Sequence, residues 1–295
     1  MKLFSVLSNA YKLDGGAMFG NAAKVVWEHW IPADEQNRLR LATRALLVIT
    51  QSETILFETG LGAYMEPKFR DRYGVDEPEH ILIKSLAEKG ISPADVTRIF
   101  LSHLHFDHAG GLLSAWQAGK DPELLFPNAK YYVGEQAWER AIHPHPRDRA
   151  SFLPQLHRQL EQSQRLVRIK KGDVLSFDEF ELRFFHSDGH TPGLLCADLR
   201  YGNDRLVYAS DLVPGRAWVH LPISMGYDRF PELLIDEKKA LLTSLVEENA
   251  WIFYTHDPDF ALSKVQFDNE HKTFGAVDAQ KDLAIGPRKD PIMEK

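Results

Sequence analysis

The sequence predicts one α/β sandwich, its sheets covered by helices, with residues 1–295 forming a single domain. Three observations lead there. Apolar, β-branched runs of strand length come first in each half of the chain, and helical patterns follow them. No linker rich in Gly, Ser or Pro divides the chain, and no segment is of low complexity. The composition, 44% hydrophobic and 26% charged over 295 residues, is that of a soluble globular protein, which excludes a disordered, collagen-like or coiled-coil chain.

In chain order, Leu41–Thr50 and Thr54–Glu58 are apolar runs separated by the polar Gln51-Ser52-Glu53 and read as a hairpin. Glu79–Lys89 places Ile81, Leu82, Ser85 and Leu86 at helical spacing and stops at Gly90. Ser92-Pro93 reads as an N-cap followed by proline at the first helical position. Thr97–Leu101 and Lys130–Val133 are short strands, and Phe152, Leu153, Leu156 and Leu160 mark one face of a helix. Leu182–Phe185, Cys196–Leu199 and Leu206–Ala209 are three further strands. Leu234–Asn249 is the strongest helix, with Leu241, Leu242, Leu245 and Val246 as its buried stripe, and the strand Trp251–Tyr254 follows it directly. From about Asp282 the chain turns polar, with two prolines, and a loose tail is expected over 282–295.

Charge narrows the function classes. Acidic residues outnumber basic ones 42 to 35, a net charge of -7, and no basic patch stands out, so a nucleic-acid partner is not expected. The single cysteine, Cys196, allows no internal disulfide and fits a reducing compartment. The apolar stretch at the N-terminus breaks after a few residues, short of the roughly 7–15 a signal peptide needs. No run approaches the roughly 20 apolar residues of a membrane helix. The expectation is a soluble, cytoplasmic protein; monomer and homodimer both stay open.

The unusual feature is histidine, of which there are 13. Ser102-His103-Leu104-His105-Phe106-Asp107-His108-Ala109-Gly110-Gly111 follows a predicted strand. Residues two apart in extended chain point to the same side, so His103 and His105 can share one cation. Asp107 and His108 fall where the loop turns into a helix and can face a second cation beside it. His190, Asp211 and His256 each lie just after an apolar strand, and strand ends along one sheet edge converge in space. Imidazole suits zinc, iron, copper and nickel, and a carboxylate can bridge two ions. Five histidines and two carboxylates are too many for one tetrahedral ion, and the lack of cysteine argues against a closed structural site.

On these motifs the chain resembles the metallo-β-lactamase superfamily. The motifs are SHLHFDH, GHTPG at Gly189–Gly193, Ser210-Asp211 and His256, and they span nearly the whole chain. The resemblance implies an αββα sandwich with two metal ions at one edge. By it, His103, His105 and His190 bind one ion, Asp107, His108 and His256 bind the other, and Asp211 bridges them. Zinc is the expected metal, although the same ligands accept manganese, cobalt or iron. Lys12-Leu-Asp-Gly-Gly-Ala-Met-Phe-Gly20, Phe126-Pro-Asn-Ala129, Gly226-Tyr-Asp228 and His256-Asp-Pro258 are similar to the branch of quorum-quenching N-acyl homoserine lactonases, near methyl parathion hydrolase-type enzymes. That implies a small-molecule carbonyl ester, most simply an N-acyl homoserine lactone or similar lactone, attacked by a metal-bridging hydroxide; Asp107 is a candidate to carry the proton to the leaving alkoxide as well. Phosphotriester, phosphodiester or thioester hydrolysis on the same centre is the alternative.

Two positions depart from the family pattern. Glu58, in Phe57-Glu58-Thr59-Gly60, stands where the family often has aspartate, one methylene shorter. Pro214 stands where some of the lactonases carry a tyrosine that holds the substrate carbonyl, and Tyr227 is a candidate to take over that contact. Phe106 is expected beside the cleft, while Met18 and Phe19 fit either an apolar lip or core packing. Trp218 and His220 are further candidates for the cleft wall. The remaining histidines, His186 among them, read as surface, core or supporting residues. No Gly-x-Ser-x-Gly or Walker loop competes. A flavodiiron-like oxidoreductase would place glutamate at His105 and needs a flavin domain for which no chain is left. A non-catalytic module would have lost some of the seven donors.

Overall fold

The computed structural model describes residues 1–285. Two mixed seven-stranded sheets face each other. The first runs Ala284–Ile285, Lys2–Leu7, Arg44–Ile49, Thr54–Phe57, Arg98–Leu101, Lys130–Gly134, Leu166–Ile169 across its width. The second runs Thr273–Gln280, Leu262–Asp268, Trp251–Phe253, Asp204–Tyr208, Leu194–Tyr201, Glu181–Ser187, Val174–Ser176. A separate two-stranded ribbon pairs Tyr11–Asp14 with Arg38–Leu41.

The period-two alternation of the central strands sorts their side chains between layers. Leu46, Val48, Ile55, Phe57, Phe100 and Tyr132 point between the sheets, where they meet Phe184, Leu195, Ala197, Tyr208 and Phe253 of the second sheet. Ala45, Leu47, Leu56, Ile99, Leu101, Tyr131 and Val133 point outward to the helices Ile81–Ala87, Glu135–Ile142 and Pro154–Gln162. On the far side, Leu194, Cys196, Val207 and Ile252 pack under the helix Pro231–Glu247, through Leu234, Leu241, Leu242 and Leu245. Both faces of each sheet are thus covered, which explains why the strands read as continuous apolar runs. The αββα sandwich expected from the sequence is the fold.

The predicted elements are present with shifted ends. The helix expected over Glu79–Lys89 is Ile81–Ala87, and Ser92 with Asp95 forms a capping box on the short turn Pro93–Asp95. Lys2–Leu7, the ribbon, Gly15–Phe19, Glu135–Ile142, Leu262–Asp268 and Thr273–Gln280 are elements the sequence reading did not pick out. The tail expected over 282–295 begins with Ala284–Ile285 paired to Lys2–Leu7, and its remainder lies outside the described residues. Among the described residues no helix is long and apolar enough to cross a membrane.

The sheets are joined at one end by buried Arg44, whose guanidinium donates to the carbonyls of Tyr254 and Asp257. Burial pulls its pKa down to about 10, against the pull of Asp257. At the same end, Leu195 N–H donates to the Ser102 carbonyl, tying the second sheet to the loop that follows Arg98–Leu101. That end carries the histidines.

Candidate metal centre

The strand Arg98–Leu101 ends at Ser102, and the chain runs extended through His105 before the short helix Phe106–Ala109. Thr59 N–H and Oγ1 both donate to the His108 carbonyl, and Gly111 N–H donates to Gly60, so the loop is held against Glu58–Gly60. A Cβ at Gly111 would sit 2.1 Å from the Thr59 carbonyl oxygen, so only glycine permits this approach.

The second sheet supplies three more donors from its strand ends. Gly189 backs directly onto Leu234, where a Cβ would lie 2.4 Å away, and this brings His190 inward. Asp211 sits in the turn Ser210–Leu212, which Ser210 enters in a left-handed conformation (φ 47°). His256 follows Trp251–Phe253, and its N–H donates to the Pro214 carbonyl. Position 214 therefore serves the floor through its backbone.

All seven side chains are buried and converge. His103 Nε2 lies 2.9 Å from His105 Nδ1, and His103, His105 and His190 form one group able to hold an ion. Asp107, His108 and His256 form a second such group. Asp211 lies between the two, with Oδ2 3.2 Å from His190 Nε2 and 3.3 Å from His108 Nε2, and Oδ1 3.2 Å from His256 Nε2.

The opposite side of nearly every ring is taken. His190 Nδ1 lies 2.9 Å from Asp228 Oδ1, His256 Nδ1 2.9 Å from the Ala42 carbonyl, and His103 Nδ1 2.8 Å from Ser102 Oγ. His108 Nδ1 lies 3.5 Å from Glu58 Oε2, while Glu58 Oε1 accepts from Ser102 N–H. Glu58 can also be grouped with His103 and His108 around one point, but its place behind His108 makes it a support. The Glu58 backbone is left-handed (φ 69°).

This donor set fits cations. The Ala42 carbonyl takes the Nδ1 proton of His256, so the Nε2 lone pair of His256 faces His108 Nε2 at 3.1 Å. His190 Nε2 and Asp211 Oδ1 are buried without a hydrogen-bond partner. Such an arrangement is unfavourable unless positive charge is shared among the donors. The titration pattern says the same. Burial favours the neutral form of His108, yet Asp211, Asp107 and Glu58 raise its pKa well above the usual histidine value. Asp211, with Asp228, likewise overcomes burial to raise His190. Burial, with neighbouring histidines, holds His103 well below the usual value and His105 down to about 3. Burial works against ionising Asp107 and Asp211, but the histidines keep both below the usual carboxylate range. Protons on the cluster stand in for the cation charge that would displace them.

The cluster forms the floor of a cavity of about 350 Å³. Phe106 and Tyr227, expected near the cleft, line it, as does Met18, which by sequence fits either lip or core and is almost fully buried, together with Tyr11, Tyr73, Met225 and Arg147. Tyr227 is 42% exposed. Phe19 does not line it: the ring is fully buried, stacked between Trp218 at 4.8 Å and Trp27 at 5.3 Å. Flat aromatic faces on both sides make it core, which corrects the lip alternative. Trp218 is likewise core, its Nε1 donating to the Met18 carbonyl, and His220 stacks on Trp30 away from this cavity. His186, expected in a core or supporting role, lies outside the cluster.

Sequence reasoning missed Tyr11 and the role of Asp228. Tyr11 donates its hydroxyl to Asp107 Oδ2, and burial, with Asp107, keeps that hydroxyl protonated. The Gly226-Tyr-Asp228 motif was visible, but a carboxylate 38 residues from His190 carries no local signal of its partner.

Comparison with known proteins identifies the family and the fold. The family model described as the metallo-beta-lactamase superfamily matches residues 39–256. The N-acyl homoserine lactonase AiiA of Bacillus thuringiensis subsp. kurstaki is 25% identical over 234 residues, covering 74% of this chain and 82% of its own. A probable metal-dependent hydrolase from Staphylococcus aureus superposes with a TM-score of 0.81 at 26% identity, over 94% of this chain and 96% of its own. AidC, a dizinc quorum-quenching lactonase solved with a product homoserine, superposes with a TM-score of 0.72 at 25% identity, over 93% of each chain.

Proposed function

The chain belongs to the metallo-β-lactamase superfamily and is a metal-dependent hydrolase, and from that premise we propose that it opens the ester of a lactone, most simply an N-acyl homoserine lactone. The observation that carries the reading is the buried histidine–carboxylate floor beneath a cavity with apolar and aromatic walls. Support comes from relatives named as lactonases and from AidC, solved with a homoserine product.

In this reading His103, His105 and His190 would hold one divalent ion, and Asp107, His108 and His256 a second, with Asp211 shared. Zinc is the first choice, as in the dizinc AidC. Such ions, when bound, supply Lewis acidity for a carbonyl oxygen and a water made nucleophilic near neutral pH.

The protein's own groups do the rest. Asp228, Glu58 and the Ala42 carbonyl orient the imidazoles of His190, His108 and His256 from behind. Asp107, which faces the cavity, takes up the proton released on attack and returns it to the leaving alkoxide oxygen. Phe106, Met18 and Tyr227 contact the acyl part of the substrate. These walls and the acidic surface disfavour a nucleic-acid substrate.

Acid release from a medium-chain N-acyl homoserine lactone, with and without chelator, tests the proposal. Rapid, chelator-sensitive ring opening is expected. Fully metallated protein that leaves lactones intact but cleaves phosphotriesters or thioesters would move the activity to those bonds. Asp107→Asn with full metal and full rate would remove the proton-carrying role.

A further inference from the structure

Tyr11 opens the ribbon strand Tyr11–Asp14, opposite Leu41, and the next residue, Ala42, takes the Nδ1 proton of His256. The ribbon therefore touches the floor twice. The segment leading into it is pinned: Asn9 donates to the Glu77 and Glu79 carbonyls, accepts from Ile81 N–H, and offers its own carbonyl to Thr43 Oγ1. The Tyr11 ring is buried, edge-on to Phe106 at 6.2 Å and to His256 at 6.0 Å, which fixes where its hydroxyl points. That hydroxyl donates to Asp107 Oδ2, the oxygen lying 3.6 Å from His256 Nε2 and 3.8 Å from His108 Nε2.

A carboxylate oxygen has two in-plane lone pairs. With the phenol on one, the other is left for the centre shared with His108 and His256. We infer that Tyr11 is a positioning residue that divides the two oxygens of Asp107, committing Oδ2 to the second cation and leaving Oδ1 to carry the proton. Oδ1 has no hydrogen-bond partner among the described residues, on a side chain that lines the cavity. Tyr227 does not play this part: the residue is exposed, and its hydroxyl makes no hydrogen bond to the floor among the described residues. The inference rests on the two-ion reading above, and its test separates the two.

The test uses the full-length holoenzyme with zinc, and with cobalt for its absorption spectrum. Tyr11→Phe removes one atom and keeps the packed ring. Competition with a chromophoric chelator should show one ion held as in the wild type and the second weakened about 10- to 100-fold, as loss of an outer hydrogen bond to a ligand does elsewhere. The cobalt spectrum of the second site should shift, and at saturating metal kcat should stay reduced while KM holds. Tyr227→Phe should leave both affinities unchanged. Leu41→Ala, which loosens the ribbon without touching the hydroxyl, should keep both ions. Equal affinities in Tyr11→Phe and wild type, or the same loss in Leu41→Ala, would overturn the role of Tyr11. Wild-type protein that binds no second ion would overturn the two-ion reading and this inference with it.

Discussion

The floor of the cavity and its walls are built on opposite plans. The floor takes its donors from strand ends of both sheets, buries them, and backs the rings of His108, His190 and His256 with groups distant in sequence. The walls come from short helices, the two-stranded ribbon and loops. Gly226 N–H donates to the Ala17 carbonyl and its own carbonyl accepts from Arg147, so three separate segments meet at the mouth. Tyr227 and Arg147 there are exposed. Chemistry that must hold charge is placed just past the ends of paired strands, whereas recognition is left to parts that can vary without disturbing it.

The sharpest way to break this division is to cut the floor at its centre. Asp211→Ala should lower kcat/KM by about 10³-fold or more, because the shared carboxylate faces both donor groups. Metal content and rate measured together would check it, and a variant with both ions and near-normal rate would contradict the role given to Asp211. One shell out, Asp228→Asn should weaken one ion by about 10- to 100-fold and leave the other intact, read by metal titration. A wall change should behave differently. Met225→Ala is expected to raise KM for a medium-chain lactone by about tenfold at constant metal content. Loss of metal in that variant would show that the wall supports the floor after all.

The smallest effect falls on stability, beneath the walls. Lys238 is fully buried in the helix Pro231–Glu247, and its ammonium donates to the Trp218, His220 and Ile223 carbonyls of the loop leading to Tyr227. Burial pulls its pKa down to about 7 from 10.5, with Asp228 opposing. Between those two pH values the unfolded chain binds the extra proton, so this group makes the fold more stable as pH rises from about 7 toward 10.5. Lys238→Met leaves three buried carbonyls unpaired and should cost about 2 kcal/mol. Denaturant unfolding across that range should show wild type gaining stability relative to Lys238→Met as pH rises. A constant difference would mean that the lysine keeps one protonation state throughout.

Legibility followed the same line between floor and walls. The sandwich was readable because Leu46-Leu47-Val48, Ile99-Phe100-Leu101 and Tyr131-Tyr132-Val133 are apolar at every position, the pattern of strands buried on both faces. His103, His105 and His108 were readable from their spacing, and His190, Asp211 and His256 from the strands that precede them. Their supports were not. Asp228, Tyr11 and the Ala42 carbonyl lie far in sequence from the side chains they hold, and nothing local marks those pairings; Glu58 stood out only against the family pattern. Phe19 shows the limit from the other side: its neighbours Gly15-Gly16 and Met18 fit a lip, but Trp218, about 200 residues on, makes it core.

The sequence by itself determined which residues could carry metal chemistry and on which kind of element they would sit. Hydrophobic period and donor type are local properties, fixed by the backbone and by the side chain's own atoms. Only the tertiary structure decided which donors meet, which nitrogen of each ring faces the centre, and which aromatic becomes wall or core. Those outcomes depend on packing two sheets against each other and on hydrogen bonds closed across more than a hundred residues, as between His256 and Ala42, and no stretch of sequence contains both partners.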